Sequence, residues 1–307
     1  MHACGHDMHM TCFIGTARWL ADHKDRWSGT VVFVGQPAEE TVDGARDLLK
    51  DGLYKRFPKP DYALALHCKA DAEAGTVHYR SGPLLASSSS ITVLFRGKGG
   101  HGAWPNKTID PIVLSALAIL DFQTIVSREV DPLQPAVLTV GSIQGGTKHN
   151  IIPNEVKLQI TIRSFAEEVH KTLVDGIRRR AAALAQAHRA PEPTVTIDQH
   201  VPVTINNDGL TSKVAPLLAR GIGESQVQST QPVMGGEDFS LYAAEDVPIF
   251  MFWLGTVAPE KIAEAKAKGN DLPALHSSRF APEPNASIAT GVRAITSAVI
   301  GLLPPKS

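Results

Sequence analysis

The spacing of apolar residues at the two ends of the chain predicts an α/β unit. Apolar side chains recur at helical spacing from Asp7 to about His23, with Asp7 available as the N-cap. The apolar runs 30–35 (TVVFVG) and 62–66 (YALAL) are typical of buried strands in an open sheet. A similar run at 249–254 (IFMFWL) and a helical pattern over 288–303 follow much later. The two ends are therefore predicted to form one α/β unit.

The segment between these ends has a different pattern. Alternating strands are predicted at 91–96, 136–143, 156–162 and 194–198, and helices at 111–126 and 167–188. Asp110 and Pro111 supply the cap and the first-turn residue of the first of these helices. The order strand, helix, strand, strand, helix, strand fits a small α+β sandwich. We therefore predict a catalytic domain in two parts, 1–86 and 199–307, with an inserted α+β domain at 87–198.

The first nine residues, Met1-His2-Ala3-Cys4-Gly5-His6-Asp7-Met8-His9, are rich in metal-ligating side chains. A thiolate at Cys4 and an imidazole at His6 suit Zn²⁺ or a similar divalent ion better than Mg²⁺ or Ca²⁺. A ligand loop normally follows the strand that positions it, and here no residue precedes the loop. We therefore expect the catalytic domain to be incomplete at its N-terminus.

Three further residues are candidate ligands because they follow predicted strands or lie in loops. They are Glu40, His67 and His276. Carboxylates and imidazoles at the carboxyl ends of strands lie where open α/β sheets bind their ligands. Neighbouring Glu39 and Glu40 would face different ways, so one can bind metal while the other acts as a base. Two alternatives stay open: the glutamates begin a solvated helix, and His67 is a core histidine bonded to backbone.

Composition limits the classes of partner. The chain has 307 residues, 43% hydrophobic and 20% charged, which is ordinary for a globular protein of two domains. A net charge of −1 argues against nucleic-acid binding. Three cysteines are too few for a disulfide framework and indicate a reducing, cytoplasmic location, although a longer parent chain could carry a signal peptide. No run approaches 18 apolar residues, so no membrane span is predicted.

Two other motif readings are rejected. Residues 97–102 (GKGGHG) match the dinucleotide-binding pattern, but the next helix begins only near residue 110, too late for that fingerprint. A glycine-rich loop presenting His101 describes the segment better. The chain also lacks the G-x-S-x-G and H-E-x-x-H motifs of serine hydrolases and single-zinc proteases.

Seven motifs, in order along the chain, carry a resemblance to a known family. They are Cys4-Gly5-His6-Asp7, Gln36-Pro37-Ala38-Glu39-Glu40, Leu66-His67, Gly99-Gly100-His101-Gly102-Ala103, His149-Asn150-Ile151-Ile152-Pro153, Gly236-Glu237-Asp238-Phe239 and Leu275-His276-Ser277. The chain resembles the di-metal amidohydrolases that include hippurate hydrolase and the indole-acetyl-amino-acid hydrolases. The resemblance implies an exopeptidase-like α/β catalytic domain and an inserted dimerisation domain. It also implies that an upstream part of the catalytic domain is missing.

The resemblance also implies roles for individual residues. Cys4 would bridge two divalent ions, Zn²⁺ or Mn²⁺, with Glu40 and His276 on one ion and His6 and His67 on the other. Glu39 would be the general base. His101 would act on the developing oxyanion across a homodimer interface, and Asn150 and Arg163 would bind the α-carboxylate of the amino-acid product.

The expected function is metal-dependent hydrolysis of the amide bond of an N-acyl amino acid, a small-molecule substrate. The expected partner is a second copy of the chain, joined through the inserted domain, with no nucleic acid and no membrane. Two alternatives remain: a dipeptidase or carboxypeptidase of the same family, and a truncated non-catalytic homologue that keeps the dimer module as a binding protein.

Overall fold

A computed structural model describes residues 1–306 of the chain. Its first part contains three helices and three strands, which are α1 (His6–Asp22), α2 (Gly44–Lys50), α3 (Leu53–Arg56), β1 (Ala63–Glu73), β2 (Val77–Tyr79) and β3 (Gly82–Leu85). Short 3-10 turns occupy Lys24–Arg26 and Glu39–Thr41.

The middle part follows the predicted order closely. Its elements are β4 (Ser87–Arg96), β5 (Gly100–His101), α4 (Pro111–Arg128), β6 (Ala136–Gln144), β7 (Ile151–Ile152), β8 (Glu155–Ser164), α5 (Glu167–Ala187) and β9 (Thr194–Val201). Asp110 caps α4 by accepting a hydrogen bond from the Ile112 amide, as its sequence predicted. The predicted domain boundary at residue 198 falls inside β9.

The last part returns to alternating strands and helices. It contains β10 (Thr204–Asn206), α6 (Asp208–Ile222), β11 (Val227–Ser229), β12 (Ile249–Val257), α7 (Pro259–Lys268) and α8 (Pro284–Leu302). Further 3-10 segments lie at Pro105–Lys107, Glu224–Gln226 and Asp238–Asp246.

Strands from both ends of the chain share one mixed sheet with the order β1-β12-β2-β11. β1 and β12 are parallel, and His67 lies opposite Trp253. Every residue of β12 is buried because both faces of the strand are covered. Phe250, Phe252 and Leu254 pack with α1, α6 and α8, whereas the alternate residues of β12 pack towards α2 and the 238–246 segment. The sheet thus holds β1, and with it His67, in place.

The middle part has its own core. Four antiparallel strands in the order β6-β8-β4-β9 are covered by α4 and α5. All fully buried members of this core come from residues 91–185. Both chain connections to the larger sheet, at β4 and β9, lie side by side, since Ser88 pairs with Val201. This is the α+β sandwich that the strand and helix order predicts.

One helix among residues 1–306, α4, is long and apolar enough by length and composition to cross a membrane. Leu114, Ala118, Phe122 and Ile125 on this helix are fully buried against the four-stranded sheet. Packing in the core of the sandwich therefore explains why this face of α4 is apolar.

Three local predictions were wrong. Residues 30–35 form no strand, and Val32 and Phe33 are exposed, because no described strand lies beside them to pair with. His67 does not end its strand but lies in the middle of β1. Asp7 lies inside the first turn of α1 rather than at its N-cap, which is Gly5.

Candidate metal centre

The turn before α1 directs Cys4 and His6 towards β1. Gly5 between them has φ = 80°, a left-handed conformation that favours glycine. A Cβ at this position would lie 2.7 Å from the Cys68 sulfur, so the turn sits tightly on the strand. The spacing Cys-Gly-His therefore serves a geometric need, since only glycine allows this close approach.

His67 extends from β1 to meet this turn. Its Nε2 lies 3.4 Å from Cys4 Sγ, and its Nδ1 lies 2.8 Å from the Cys68 carbonyl oxygen. A carbonyl only accepts, so Nδ1 carries the proton and Nε2 presents a lone pair to Cys4. A backbone acceptor behind a histidine ring is the arrangement that fixes metal-ligating imidazoles. The alternative of a core histidine bonded to backbone is thus half right: the bond exists, and it leaves the other nitrogen free to bind a metal.

Glu39 and Glu40 approach from the other side on the 3-10 turn at Glu39–Thr41. His6 Nε2 lies 3.4 Å from Glu39 Oε2 and 3.8 Å from Glu40 Oε1. The side chain of Glu39 is 23% exposed and that of Glu40 is 50% exposed. The two carboxylates are therefore distinct in environment although adjacent in sequence.

His276 comes from the distant end of the chain. Its amide donates to the Ala3 carbonyl at 2.8 Å, which anchors it beside the N-terminal turn. Its Nε2 lies 3.4 Å from Glu40 Oε1. The backbone at His276 has φ = 65°, a conformation that costs free energy for a residue with a side chain.

These side chains form overlapping clusters in which the ligating atoms lie within 4.8 Å of one another. One trio is Cys4, His6 and His67, and a second is Cys4, Glu40 and His276. Cys4 belongs to both. The five candidate ligands are thus brought together from four separate stretches of chain.

Burial and crowding of like charge shift the acid–base equilibria of this cluster. Burial, with the charges of Glu40 and Glu39, raises the pKa of Cys4 to about 12. Burial lowers the pKa of His67 to about 4. Burial, followed by the charges of Glu40 and Asp238, raises the pKa of Glu39 to about 7. Thiolate and carboxylate forms in such a site need a compensating cation, and a neutral imidazole is the form that binds metal, so the donor set fits divalent metal.

His9, the third imidazole of the N-terminal segment, is engaged elsewhere. Its Nε2 lies 2.9 Å from the Cys68 amide nitrogen and accepts that N–H. This lone pair is therefore unavailable to a metal, although the rings of His9 and His67 lie only 4.6 Å apart. The structure therefore distinguishes His6, which is placed to bind a metal, from His9, which is not. The sequence composition alone does not make this distinction.

The other three predicted site residues lie outside these clusters. The short strands β5 and β7 pair His101 with Ile151, so the glycine-rich loop and the segment that bears Asn150 are neighbours. Both His101 and Asn150 are exposed. Arg163, on β8, is half-buried and donates from Nη1 to the Met234 carbonyl at 2.8 Å. His101 belongs to none of the metal-ligating clusters of histidine, cysteine and acidic side chains found among residues 1–306.

Sequence reasoning gave no role to a second acidic pair beside the metal cluster. Glu39, Glu237 and Asp238 bring carboxylate oxygens within 4.8 Å of one another. Glu237 and Asp238 are buried, and burial followed by the charge of Glu39 raises the pKa of Glu237. The sequence feature that could have indicated this pair is two adjacent acidic residues directly after Gly235-Gly236. Acidic side chains are rarely buried unless they are paired or functional.

A family model described as peptidase family M20/M25/M40 matches residues 1–276. This chain belongs to that family. The match spans the N-terminal turn, the glutamate pair, β1 and His276. The family recognition made from the seven motifs is therefore confirmed.

Individual relatives agree with this assignment. The chain is 36% identical to N-acetylcysteine deacetylase of Bacillus subtilis over 85% of this chain and 67% of the relative. It is 36% identical to thermostable carboxypeptidase 2 of Saccharolobus solfataricus over 83% of this chain and 64% of the relative. The chain thus spans about two thirds of the length of these relatives.

A solved structure from Bacillus subtilis, described as a dinuclear metal-binding peptidase of family M20, matches 99% of this chain and 73% of its own chain. The TM-score is 0.74 and the sequence identity is 27%. The mixed α/β fold class is confirmed by this likeness. The expected enzyme class, a metal-dependent amidohydrolase, agrees with the family and with the relatives' activities.

Proposed function

We propose that this chain hydrolyses the amide bond of N-acyl amino acids. The observation that supports this most strongly is that Cys4 belongs to both ligand trios, with the half-buried carboxylate of Glu39 beside them. The deacetylase relative acts, by its name, on an N-acetylated amino acid.

The proposed cofactor is a pair of divalent ions, Zn²⁺ or Mn²⁺. His6 and His67 would hold one ion, Glu40 and His276 the other, and Cys4 would be shared. The dinuclear neighbour supports the number, and the mixed sulfur, nitrogen and oxygen donor set supports the metal type. Bound there, the pair would activate water and polarise the amide carbonyl.

Glu39 is proposed as the general base. Its carboxylate belongs to neither of the two trios that contain Cys4, and it lies beside them, in a trio with His6 and Glu40 and 3.4 Å from His6 Nε2. Partial burial lets it hold a proton near neutral pH and return that proton to the leaving amine. Its neighbour Glu40, more exposed and 3.4 Å from His276, suits the ligand role.

His101, Asn150 and Arg163 are proposed to contact substrate. The pairing of β5 with β7 supports a joint role for the first two, since it presents an imidazole and an amide from one surface. Arg163 reaches from β8 to the Met234 carbonyl, at the segment leading to Gly236-Glu237. A guanidinium at this junction suits recognition of a carboxylate.

The inserted domain, residues 87–198, is proposed to join two copies of the chain. The outward face of α4 carries Ile112, Val113, Leu117 and Leu120, the last 70% exposed. α4 packs beside β6, the edge strand of the sheet, whose Ile143 is also exposed. An apolar helix face next to an unpaired strand edge suits a self-complementary interface.

The dimer is tested by light scattering on Leu120→Lys, which should become monomeric. Ile205→Lys alters an equally apolar, exposed site on β10 and should remain dimeric. If both variants keep the mass of a wild-type dimer, or if the wild type is a monomer, the proposed interface is wrong.

A role of His101 across that interface is tested by mixing. His101→Ala and Glu39→Gln homodimers should each be nearly inactive. Reassociated heterodimers carry one site with both residues intact, so activity should partly return. Verified heterodimers without activity would place His101 in its own subunit's site or outside catalysis.

The activity itself is tested with N-acetyl, N-benzoyl and indole-acetyl amino acids in the presence of Zn²⁺, Mn²⁺ or Co²⁺. Turnover of these compounds ahead of dipeptides supports the proposal. Preference for dipeptides would favour the carboxypeptidase or dipeptidase alternative, as in the second relative. A folded, metal-loaded chain without turnover would favour the non-catalytic homologue.

A further inference from the structure

The loop that carries Glu39 and Glu40 is strained and has few regular contacts. Ala38 and Val42 both adopt left-handed backbone conformations, with φ of 55° and 54°. Between residues 30 and 37, no backbone–backbone hydrogen bond is found within the described chain. Such conformations persist only where surrounding structure enforces them.

One buried carboxylate joins the two ends of this loop. Asp238 is fully buried, and its oxygens accept from Gln36 Nε2 at 2.8 and 2.9 Å. The same side chain accepts from the Ala45 amide at 2.9 Å. Gln36 lies just before the turn at residues 37–44 that carries the two glutamates, and Ala45 follows that turn. Asp238 therefore closes the base of the loop from outside the loop.

The hydrogen bonds of Asp238 to Gln36 and Ala45, here called the clamp, are supported by a third side chain, that of Tyr242. Tyr242 donates its hydroxyl to Gln36 Oε1 at 2.8 Å, so both ends of the Gln36 amide are engaged. At the base of the loop, a Cβ on Gly44 would lie 1.8 Å from the Pro37 carbonyl oxygen. The approach of the two loop ends is thus as close as glycine permits.

We propose that Asp238, acting through Gln36 and Ala45, is a positioning residue that holds Glu39 and Glu40 at the metal centre. The inference rests on the proposed function for its effect on turnover. Keeping a charge fully buried costs free energy, and charged acceptors form stronger hydrogen bonds than neutral ones. A carboxylate is therefore a suitable clamp for a strained loop that lacks a paired strand.

The test is a pair of compensating substitutions. Gln36→Glu replaces the amide donor with a further carboxylate against Asp238, which already has Glu39 and Glu237 beside it, and should open the loop. Adding Asp238→Asn supplies an amide N–H to that new carboxylate while an oxygen remains for the Ala45 N–H. The double variant should therefore recover, which a merely destabilising second substitution would not do.

Hydrogen exchange of peptides covering residues 36–46 reports on the loop without any need for activity. We expect Gln36→Glu to speed exchange and lower kcat by at least about tenfold, with KM little changed. The double variant should return to within about threefold of the wild type. Tyr242→Phe, which removes only the hydroxyl, should change both readouts in the same direction by less.

Asn206→Asp is the control, because it likewise turns a hydrogen-bonded side-chain amide into an acid; Asn206 is fully buried, whereas Gln36 is partly buried, so the control is the more disruptive change. Asn206 bonds Met251 and Arg80, far in sequence from the loop, so its substitution should lower thermal stability without speeding loop exchange. Adding Asp238→Asn should not rescue it.

The inference is overturned if the double variant exchanges as fast as Gln36→Glu alone, or if Asn206→Asp opens the loop equally. If the wild type shows no turnover while the exchange pattern holds, the proposed function fails and the clamp stands. If turnover is normal in a variant whose loop has opened, the clamp has no catalytic role.

Discussion

The inserted sandwich and the glutamate loop are built in opposite ways. In residues 87–201 every strand of the four-stranded sheet is paired, and α4 and α5 close a core drawn from this segment alone. Residues 30–43 contain no strand and only one 3-10 turn, have few backbone hydrogen bonds, and carry Glu39 and Glu40. The stable packing and the proposed chemistry therefore occupy different parts of the molecule, as expected where a rigid scaffold presents a functional loop.

The largest expected effect on activity lies in the loop. Glu39→Gln keeps the shape of the side chain but loses the proton-accepting charge, so kcat should fall by about 10²–10⁴-fold. Glu40→Gln should instead weaken metal binding, because that carboxylate belongs to the Cys4 and His276 trio. Steady-state kinetics and metal analysis on both variants separate the roles. Equal metal loss in the two variants would contradict the division.

The largest expected effect on stability lies in the sandwich. Phe122, on α4, is fully buried in the core of the sandwich, so Phe122→Ala should cost about 3–5 kcal/mol. Phe33, in the unpaired segment, is 36% exposed and meets Phe13 edge to face, so Phe33→Ala should cost less than about 1.5 kcal/mol. Urea unfolding measures both. Similar losses would mean that residues 30–35 are as tightly packed as the sandwich.

A smaller effect concerns acid stability at the junction of the two regions. Ser89 Oγ lies 2.9 Å from His170 Nε2 and 2.8 Å from His200 Nδ1. The hydroxyl has one proton and two lone pairs, so at most one of the two rings accepts from it, whereas either ring or both can donate to it. Arg46, just after the glutamate loop, bonds the His200 carbonyl. Burial lowers the pKa of both histidines, with the charge of Glu167 opposing it in each.

The sign follows from proton linkage. In the unfolded chain these two rings bind protons as the pH falls through about 6.5, whereas in the folded chain their lowered pKa keeps them neutral to a lower pH. Their contribution to the free energy of unfolding is therefore fully present above about pH 6.5 and is lost as the pH drops. His170→Gln can still pair with Ser89 and should make the slope of melting temperature against pH between pH 5 and 7 less positive. His9 and His67 act in the same direction as His170, whereas the raised pKa values of Glu39 and Glu237 act in the opposite direction, so a pH dependence should remain in the variant. An unchanged slope would exclude His170 as a contributor.

The same contrast explains what sequence could predict. Helical and alternating patterns in the sandwich gave its elements to within a few residues, because each strand has its partner in the same segment. The apolar run 30–35 has the same local pattern but no neighbouring strand, and apolar periodicity carries no information about a partner. His67 lies within β1 because pairing with β12 continues past it, a contact about 186 residues away in sequence.

The candidate site was predictable where residue type alone restricts chemistry. Cys4, His6, Glu40, His67 and His276 could be chosen as a set from their motifs, and the fold brings them together. The engagement of His9 with the Cys68 amide and the clamp of Asp238 on Gln36 were not predictable. Each depends on a backbone or side-chain partner that only the folded chain brings near.

The central claim is that Cys4 is shared by two metal ions, and metal content of purified variants by elemental analysis tests it most directly. The account predicts two divalent ions per wild-type chain after loading with Zn²⁺ and near zero for Cys4→Ala. His9→Gln, a control in the same cluster whose nitrogen already accepts the Cys68 N–H, should retain two. One ion or fewer in the wild type with Cys4→Ala unchanged, or equal loss in His9→Gln, would contradict the shared site.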